Sequence, residues 1–127
     1  MYIIIHMIIG HGIDIVEIVR FKTAKLNRLA ERILTNVEMS DYNSTHSSRQ
    51  QTHIAKMWAV KEAVAKAFGT GIRGQVVWKN IELTKDEFDC PHIKLLNGLD
   101  QNGKIKCHIS VSHDGGYLVA SAILEQI

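Results

Sequence analysis

The spacing of hydrophobic residues changes near the middle of the chain, and this change separates predicted helices from predicted strands. Between Ile54 and Phe68 apolar residues recur every three or four positions, which predicts a long core helix ending at Gly69. The segment Ile105–His113 instead alternates apolar and polar residues, as a half-buried strand does. Helices therefore dominate the first half and strands the second. This order predicts an α+β fold, with a small antiparallel sheet packed against a long core helix and shorter helices.

The first half contains four further segments with clear local signals. These are a β-branched strand with two glycines, a helix, a capping box that starts a second short helix, and a polar loop. In order they are Ile8–Ile18, Arg20 to about Ile33, Thr35–Glu38 and Asn43–Ser48. The apolar run Tyr2–Ile9 is far shorter than the ~20 residues of a membrane span and lacks signal-peptide features, so it is interpreted as a buried strand.

The second half contains several short strand candidates and one strong hairpin. The candidates are Val76–Trp78, Ile81–Leu83 and His92–Leu95. The hairpin joins the alternating strand to Tyr117–Leu124 through the turn Asp114-Gly115-Gly116.

Length and composition describe an ordinary soluble domain. The 127 residues are 46% hydrophobic and 22% charged, which predicts one domain over 1–127, with 1–6 as a ragged extension before a candidate start at Met7. A net charge of +2 does not imply a nucleic-acid partner, and no membrane association is expected. Cys90 and Cys107 have no CxxC partner, so neither a disulfide framework nor a zinc site is indicated. A reduced, cytoplasmic setting is predicted.

Two acids are unusual for their surroundings. Asp14 interrupts an apolar run, so it is either paired or bound to a metal, or it caps the next helix. Glu62 lies one turn before Lys66 on the flank of the core helix, where a simple salt bridge is the alternative to a functional role. Mg²⁺ takes one or two carboxylates and completes its shell with water and phosphate oxygens. The two acids therefore suggest chemistry on a phosphate or pyrophosphate.

Two cationic side chains lie where apolar residues are expected. Lys61 projects into the apolar arc of the core helix, so it must extend to solvent, find an anion or face a cleft. His113 ends the apolar face of its strand and is either structural or a phosphate ligand.

The segment from Arg20 to Arg32 is strongly basic despite the modest net charge of the chain. It is either a solvated flank or a surface for an acidic protein partner. It contains five basic residues and one acid: Arg20, Lys22, Lys25, Arg28 and Arg32 against Glu31.

Three motifs together resemble the holo-[acyl-carrier-protein] synthases, the small 4′-phosphopantetheinyl transferases. They are Gly12–Ile18, the stretch from Trp58 through Lys61-Glu62-Ala63 to Ile72, and Val111-Ser112-His113 before the strand at Tyr117. The resemblance covers nearly the whole chain, and the central motif is the specific one. It implies the 4′-phosphopantetheinyl transferase fold and a place in fatty acid biosynthesis.

The resemblance also implies a reaction, partners and site residues. The 4′-phosphopantetheine arm of coenzyme A passes to a serine of apo acyl carrier protein, leaving adenosine 3′,5′-bisphosphate. Asp14 and Glu62 are implied as catalytic residues and as ligands of Mg²⁺, with Glu62 as the candidate base. The implied coenzyme A-binding set is Lys61, Lys66, Gly69, Thr70, Gly71, Pro91 and His113. The implied docking residues for the acidic helix of the carrier are Arg20, Lys25, Arg28 and Arg32. A homotrimer with active sites between subunits is also implied.

The chain departs from the family pattern at a few positions. Met57-Trp58 stands where Arg-Phe is usual, and Lys56 is an alternative cation on another side of the helix. His11 replaces a common glycine, and Asp114 follows His113 where threonine is frequent. Two rival hypotheses are a carrier-binding module without transfer activity and a Mg²⁺-dependent nucleotide phosphohydrolase.

Overall fold

A computed structural model describes residues 5–127 of the chain. In this part of the chain three α-helices and five strands alternate with short 3₁₀ turns. In chain order they are β1 (Met7–Glu17), α1 (Leu26–Ile33), α2 (Asn36–Ser44), α3 (Ser47–Ala67), β2 (Ile81–Lys85), β3 (Pro91–Leu95), β4 (Ile105–Asp114) and β5 (Tyr117–Gln126).

The strands form two antiparallel sheets. The larger has the order β1-β5-β4, and β2 pairs with β3 in a separate hairpin. The α3 helix packs across one face of the larger sheet, mainly against β1 and β5. The predicted α+β architecture, a small antiparallel sheet against a long core helix, is confirmed.

The core lies between α3 and the inward-facing residues of the sheet. Ile54, Val60 and Val64 of α3 are fully buried, as are Leu118 and Leu124 of β5. Alternate residues of β5 are buried because successive side chains of a strand point to opposite faces. The sheet therefore has an inner face toward α3 and an outer face that this chain does not cover.

Three predicted elements need correction. The helix predicted from Arg20 begins only at Leu26. Two 3₁₀ turns precede it, because no side chain caps a helix start in this segment. The predicted loop Asn43–Ser48 shrinks to two residues, because the imidazole of His46 accepts from the backbone N–H of Ser48 and starts α3 at Ser47. Val76–Trp78 is not a strand: Val76 forms an isolated bridge with Arg73, and Trp78 opens a 3₁₀ turn. The capping box at Thr35 is confirmed, with both of its hydrogen bonds present.

The described part of the N-terminal apolar run, residues 5–9, is exposed, so the predicted buried strand is wrong there. Residues 1–4, and with them most of the predicted extension, lie outside the described residues. β1 begins at Met7, and Ile8 is 68% exposed, because it pairs with Glu125 on the outer face of the sheet, which the described residues do not cover. In the described part of the chain no helix is both long and apolar enough to cross a membrane.

Candidate active site

Two glycines let β1 approach α3 backbone to backbone. A Cβ atom on Gly12 would lie 1.9 Å from the carbonyl oxygen of Ala63, and one on Gly10 would lie 2.0 Å from that of Ala67. Any larger residue would push the strand and the helix apart. Asp14 is the next inward-facing residue of β1, so this close contact brings it to the flank of α3 that carries Glu62 and Lys66.

Asp14 is a half-buried acid with one unsatisfied oxygen. Its Oδ1 accepts a hydrogen bond of 3.0 Å from Nζ of Lys66, which also donates to the carbonyl of Ile13 at 3.0 Å. Its Oδ2 is buried and has no partner among the described residues. The helix-capping interpretation is wrong, because Asp14 lies inside β1 and Glu17 occupies the cap position of the next turn. The Lys66 side chain pairs with Asp14 across the interface.

Glu62 is the second acid of this contact. Burial raises the pKa of its carboxyl, the nearby charge of Asp14 raises it further, and Lys66 partly opposes both effects. A carboxyl whose charge is disfavoured by burial and by a neighbouring carboxylate is typical of a cation site or of a general base.

The acid pair suits a hard cation better than a zinc-like one. Within residues 5–127 no group of three or more His, Cys, Asp or Glu side chains is arranged to hold a metal. Two carboxylates with a free, buried oxygen are enough for Mg²⁺, which keeps several waters and takes further oxygens from substrate phosphates. The residues present therefore fit Mg²⁺.

A cavity joins Asp14 to the basic segment. It has a volume of about 640 Å³ and lies between the end of β1 and α1. All four predicted docking residues line it: Arg20, Lys25, Arg28 and Arg32. The structure thus brings the predicted metal ligand and the predicted partner surface to one concave site.

Aromatic residues form the wall of this cavity, and the sequence analysis did not identify them as site residues. Phe21 and Trp58 both line it and meet edge to face, with ring centroids 6.0 Å apart. Trp78 also packs against Trp58, with ring centroids 4.6 Å apart. Trp58 is partly buried against the core and also lines the cavity opposite residues of α1. The periodicity of α3 predicts the core contact, but no pattern near Trp58 shows that α1 lies close to it.

Lys61 is buried and cannot reach a ligand. Its side chain has no exposed surface, and its ammonium donates to Oε1 of Glu38 at 2.6 Å and to the carbonyls of Ile33 at 2.6 Å and Trp78 at 2.9 Å. All three of its N–H bonds are therefore used. Burial lowers the pKa of Lys61, and the Glu38 charge opposes that shift. The assignment of Lys61 to the coenzyme A-binding set is therefore wrong. Of the three alternatives predicted for this lysine, the structure shows pairing with an anion, the Glu38 carboxylate.

The Glu38 carboxylate connects three elements around Lys61. It accepts from the backbone N–H of Thr35 at 2.8 Å and from that of Leu83 at 2.7 Å. The Thr35 hydroxyl in turn donates to Glu82 at 2.6 Å. Lys61 and Glu38 therefore hold α2, α3 and β2 together instead of binding substrate.

The other predicted coenzyme A residues are spread over the chain surface. Gly69 and Gly71 have positive φ values of 81° and 67°, and they end α3 with Thr70 exposed between them. His113 is exposed on β4, which β5 separates from β1 by two strand spacings, or roughly 10 Å. Pro91 is exposed at the start of β3 in the other sheet. A single chain therefore brings Lys66 to the acid pair, whereas His113 and Pro91 lie elsewhere.

A second cavity, of about 550 Å³, lies beside Met57 and Lys56. His53 and Lys85 also line it, and Nε2 of His53 is buried without a partner among the described residues. Burial, and to a smaller extent the charge of Lys56, lowers the pKa of His53 to about 4. Burial also lowers the pKa of Lys56, and the charge of Lys85 adds a smaller effect in the same direction. Cationic groups therefore crowd together here, and Asp41 is the acid that opposes them.

Comparisons with known proteins agree on one family. A sequence model described as the 4′-phosphopantetheinyl transferase superfamily matches residues 10–122. A holo-[acyl-carrier-protein] synthase of Streptococcus equi subsp. zooepidemicus is 39% identical over 123 residues, covering 95% of this chain and 99% of that protein. A second, from Streptococcus pyogenes serotype M28, is 42% identical over 121 residues, covering 94% and 98%.

Solved structures give the same result. A holo-(acyl-carrier-protein) synthase from Bacillus anthracis, in complex with CoA (3′,5′-ADP), is 35% identical with a TM-score of 0.83, covering 95% of this chain and 99% of that one. The Helicobacter pylori holo-[acyl-carrier-protein] synthase in complex with coenzyme A is 28% identical with a TM-score of 0.76, covering 90% and 98%.

Proposed function

The chain belongs to the 4′-phosphopantetheinyl transferase superfamily as a holo-[acyl-carrier-protein] synthase, and from this premise we propose a Mg²⁺-dependent mechanism centred on Asp14 and Glu62. The reaction transfers 4′-phosphopantetheine from coenzyme A to a serine of apo acyl carrier protein. The observation that carries the mechanism is the acid pair itself: a buried, unpartnered oxygen of Asp14 beside a Glu62 carboxyl whose pKa is raised.

Each residue of the pair has a defined task in the mechanism. The serine oxygen attacks the phosphorus that bears the pantetheine arm, and the bond to the bridging oxygen of the pyrophosphate breaks. Glu62 accepts the serine proton, directly or through a water. Lys66 uses two donors on Ile13 and Asp14, which leaves a third for a phosphate oxygen.

Asp14 and Glu62 are the proposed Mg²⁺ ligands. When bound, the ion offsets negative charge on the pyrophosphate oxygens and orients the phosphate for in-line attack. Lys66 holds Asp14 in position across the interface of β1 and α3, so the acid is oriented before substrate arrives.

The basic cavity is the proposed docking site for the carrier. Arg20, Lys25, Arg28 and Arg32 would receive its acidic helix, and the aromatic wall would contact apolar side chains of the same helix. Because Asp14 lines the same cavity, a docked carrier would present its serine to the acid pair.

The coenzyme A phosphates are proposed to meet Lys66, His113, Pro91 and the turn Gly69–Gly71. Lys56 is the proposed replacement for the arginine that is usual where this chain has Met57. Its crowding with other cations in the second cavity supports this role, because an anion there would relieve the repulsion.

We also propose that the protein is a homotrimer with active sites between subunits. We define the outer face as the β1 and β5 side chains that point away from α3: His11, Ile13 and Ile15 on β1, and Val119, Ser121 and Ile123 on β5. Ile13 and Ile15 are 57% and 62% exposed in the single chain, and association would remove this apolar surface from water. The distance of His113 and Pro91 from Asp14 also supports sites completed by a neighbouring subunit.

The proposed setting is fatty acid biosynthesis in the cytoplasm. The free cysteines Cys90 and Cys107 are compatible with a reducing compartment.

The decisive assay of the reaction follows the intact mass of a purified apo carrier protein. Incubation with this protein, coenzyme A and Mg²⁺ should add one phosphopantetheine group to the carrier and release adenosine 3′,5′-bisphosphate. EDTA should stop the transfer, and added Mg²⁺ should restore it. An unchanged carrier mass with release of inorganic phosphate from nucleotides would favour a phosphohydrolase instead.

A further inference from the structure

The outer face carries one histidine among its apolar side chains. His11 is exposed on β1 and lies directly opposite Ile123 of β5, and Ile13 and Ile15 follow along β1. Its Nε2 makes a hydrogen bond of 3.2 Å with the hydroxyl of Ser121. His11 is thus a titratable group inside the surface that a second copy of the chain would cover.

Other titratable groups also lie on this side of the sheet, and most of them pair with one another. They are His6 before β1, Glu17 on β1, Lys106, His108 and Asp114 on β4, and Tyr117 and Glu125 on β5. Glu125 pairs with Nε2 of His108 at 2.9 Å and with Nδ1 of His6 at 3.4 Å. Those histidines and Lys106 lower the pKa of Glu125, and His11 is not among the causes. The Tyr117 hydroxyl donates to Glu17 at 3.2 Å.

Resting on the proposed homotrimer, we propose that His11 makes the association of chain copies through the outer face sensitive to pH. Histidine is the residue type whose charge ordinarily changes between pH 5 and 8. A neutral ring can be buried with Ser121 as its partner, whereas a cation at this position has no carboxylate partner among the described residues and would lose its hydration in an interface. The assembly should therefore be tightest above this range and weaken as the pH falls through it.

Proton linkage sets the size of the effect. An equilibrium constant changes by up to about tenfold per pH unit for each proton taken up. A trimer contains three copies of His11, so its dissociation constant should change by up to about a thousandfold per pH unit. The protomer concentration at half-dissociation varies as the square root of that constant, so it should rise by up to about thirtyfold per pH unit.

Sedimentation velocity of the full chain at pH 8.0, 7.0, 6.0 and 5.5, at constant ionic strength, tests the proposal. Circular dichroism at each pH reports whether the released protomers stay folded. His11→Leu removes the titrating group and keeps an apolar surface. His92→Gln is the matched control, because it removes an exposed histidine of the β2–β3 sheet that pairs with Asp86 at 3.0 Å.

The expected result is a trimer at pH 8.0 that dissociates into folded protomers toward pH 5.5, in the wild type and in His92→Gln alike. His11→Leu should remain assembled at pH 5.5. A wild-type trimer that persists at pH 5.5, or His11→Leu that dissociates as the wild type does, overturns the role of His11 and leaves the homotrimer intact. A monomer at pH 8.0 overturns the proposed homotrimer and the role of His11 with it, whereas the mass assay of the transfer reaction is independent of this outcome.

Discussion

Replacing Lys61 with methionine keeps most of the side-chain length and removes an ammonium that donates to three buried oxygens. The Glu38 carboxylate and the carbonyls of Ile33 and Trp78 all lose this donor. Removing one partner of a buried ion pair costs about 3–5 kcal/mol of unfolding free energy, because the other charge is left buried and uncompensated. For a domain of this size each kcal/mol lowers Tm by roughly 3–6 °C, so Lys61→Met should lower Tm by roughly 9–30 °C.

Lys66→Met is the matched control for this experiment. It makes the same chemical change on the same helix, where the ammonium is half exposed and pairs with Asp14. A surface pair of this kind contributes about 0–1 kcal/mol, so Tm should change little. Urea and thermal unfolding followed by circular dichroism, at one protomer concentration, measure both variants. Equal Tm values for the two variants would refute the structural role of Lys61. A Lys61→Met protein with normal Tm and a raised KM for coenzyme A would return Lys61 to the substrate site.

Three other substitutions test the parts of the site separately. Arg28 lines the basic cavity, so Arg28→Glu should raise the KM for the carrier but not for coenzyme A, and it should reduce the salt sensitivity of turnover. Equal salt sensitivity in the variant and the wild type would count against docking there. His113→Gln should raise the KM for coenzyme A about ten- to a hundredfold, which is the equivalent of one charge-assisted hydrogen bond. Tm should not change, because the side chain is exposed, and a lower Tm with an unchanged KM would contradict this prediction. Gly12→Ala should lower the free energy of unfolding by about 3 kcal/mol or more and reduce transfer, because the new Cβ atom collides with the Ala63 carbonyl. A variant with normal Tm would show that the strand and the helix can separate there.

Much of the fold was predictable because its signals are local. The 3.6-residue period marked α3, strict alternation marked β4, and the Thr35–Glu38 capping box marked the start of α2. The acid pair was also visible, since Asp14 interrupts an apolar strand. Signals of this kind extend over one helical turn or one strand, and the structure confirms α3, β4 and the capping box of α2.

The bounds of three elements were wrong for local reasons, whereas the correction of Lys61 concerns contacts between residues that are distant in sequence. Glu38 was identified only as a capping residue, but its side chain also receives Lys61, 23 residues later, and the Leu83 backbone, 45 residues later. The exposure of Ile8, Ile13 and Ile15 depends on which face of the sheet α3 covers, and α3 packs against the opposite face. No local pattern shows where such partners come together.

The central claim is that Asp14 and Glu62 carry out the transfer chemistry and are not structural. Its most direct test is the rate of phosphopantetheine transfer to an apo carrier by Asp14→Asn and Glu62→Gln, at saturating coenzyme A and Mg²⁺, measured beside Tm. Each variant should lose at least about a hundredfold in turnover, the scale of a general base or of a lost metal ligand. Tm should not fall by more than a surface ion pair contributes, because Oδ2 of Asp14 has no partner and burial disfavours the charge of Glu62. A near-normal rate in either variant would contradict the assignment, as would a loss of activity explained by unfolding.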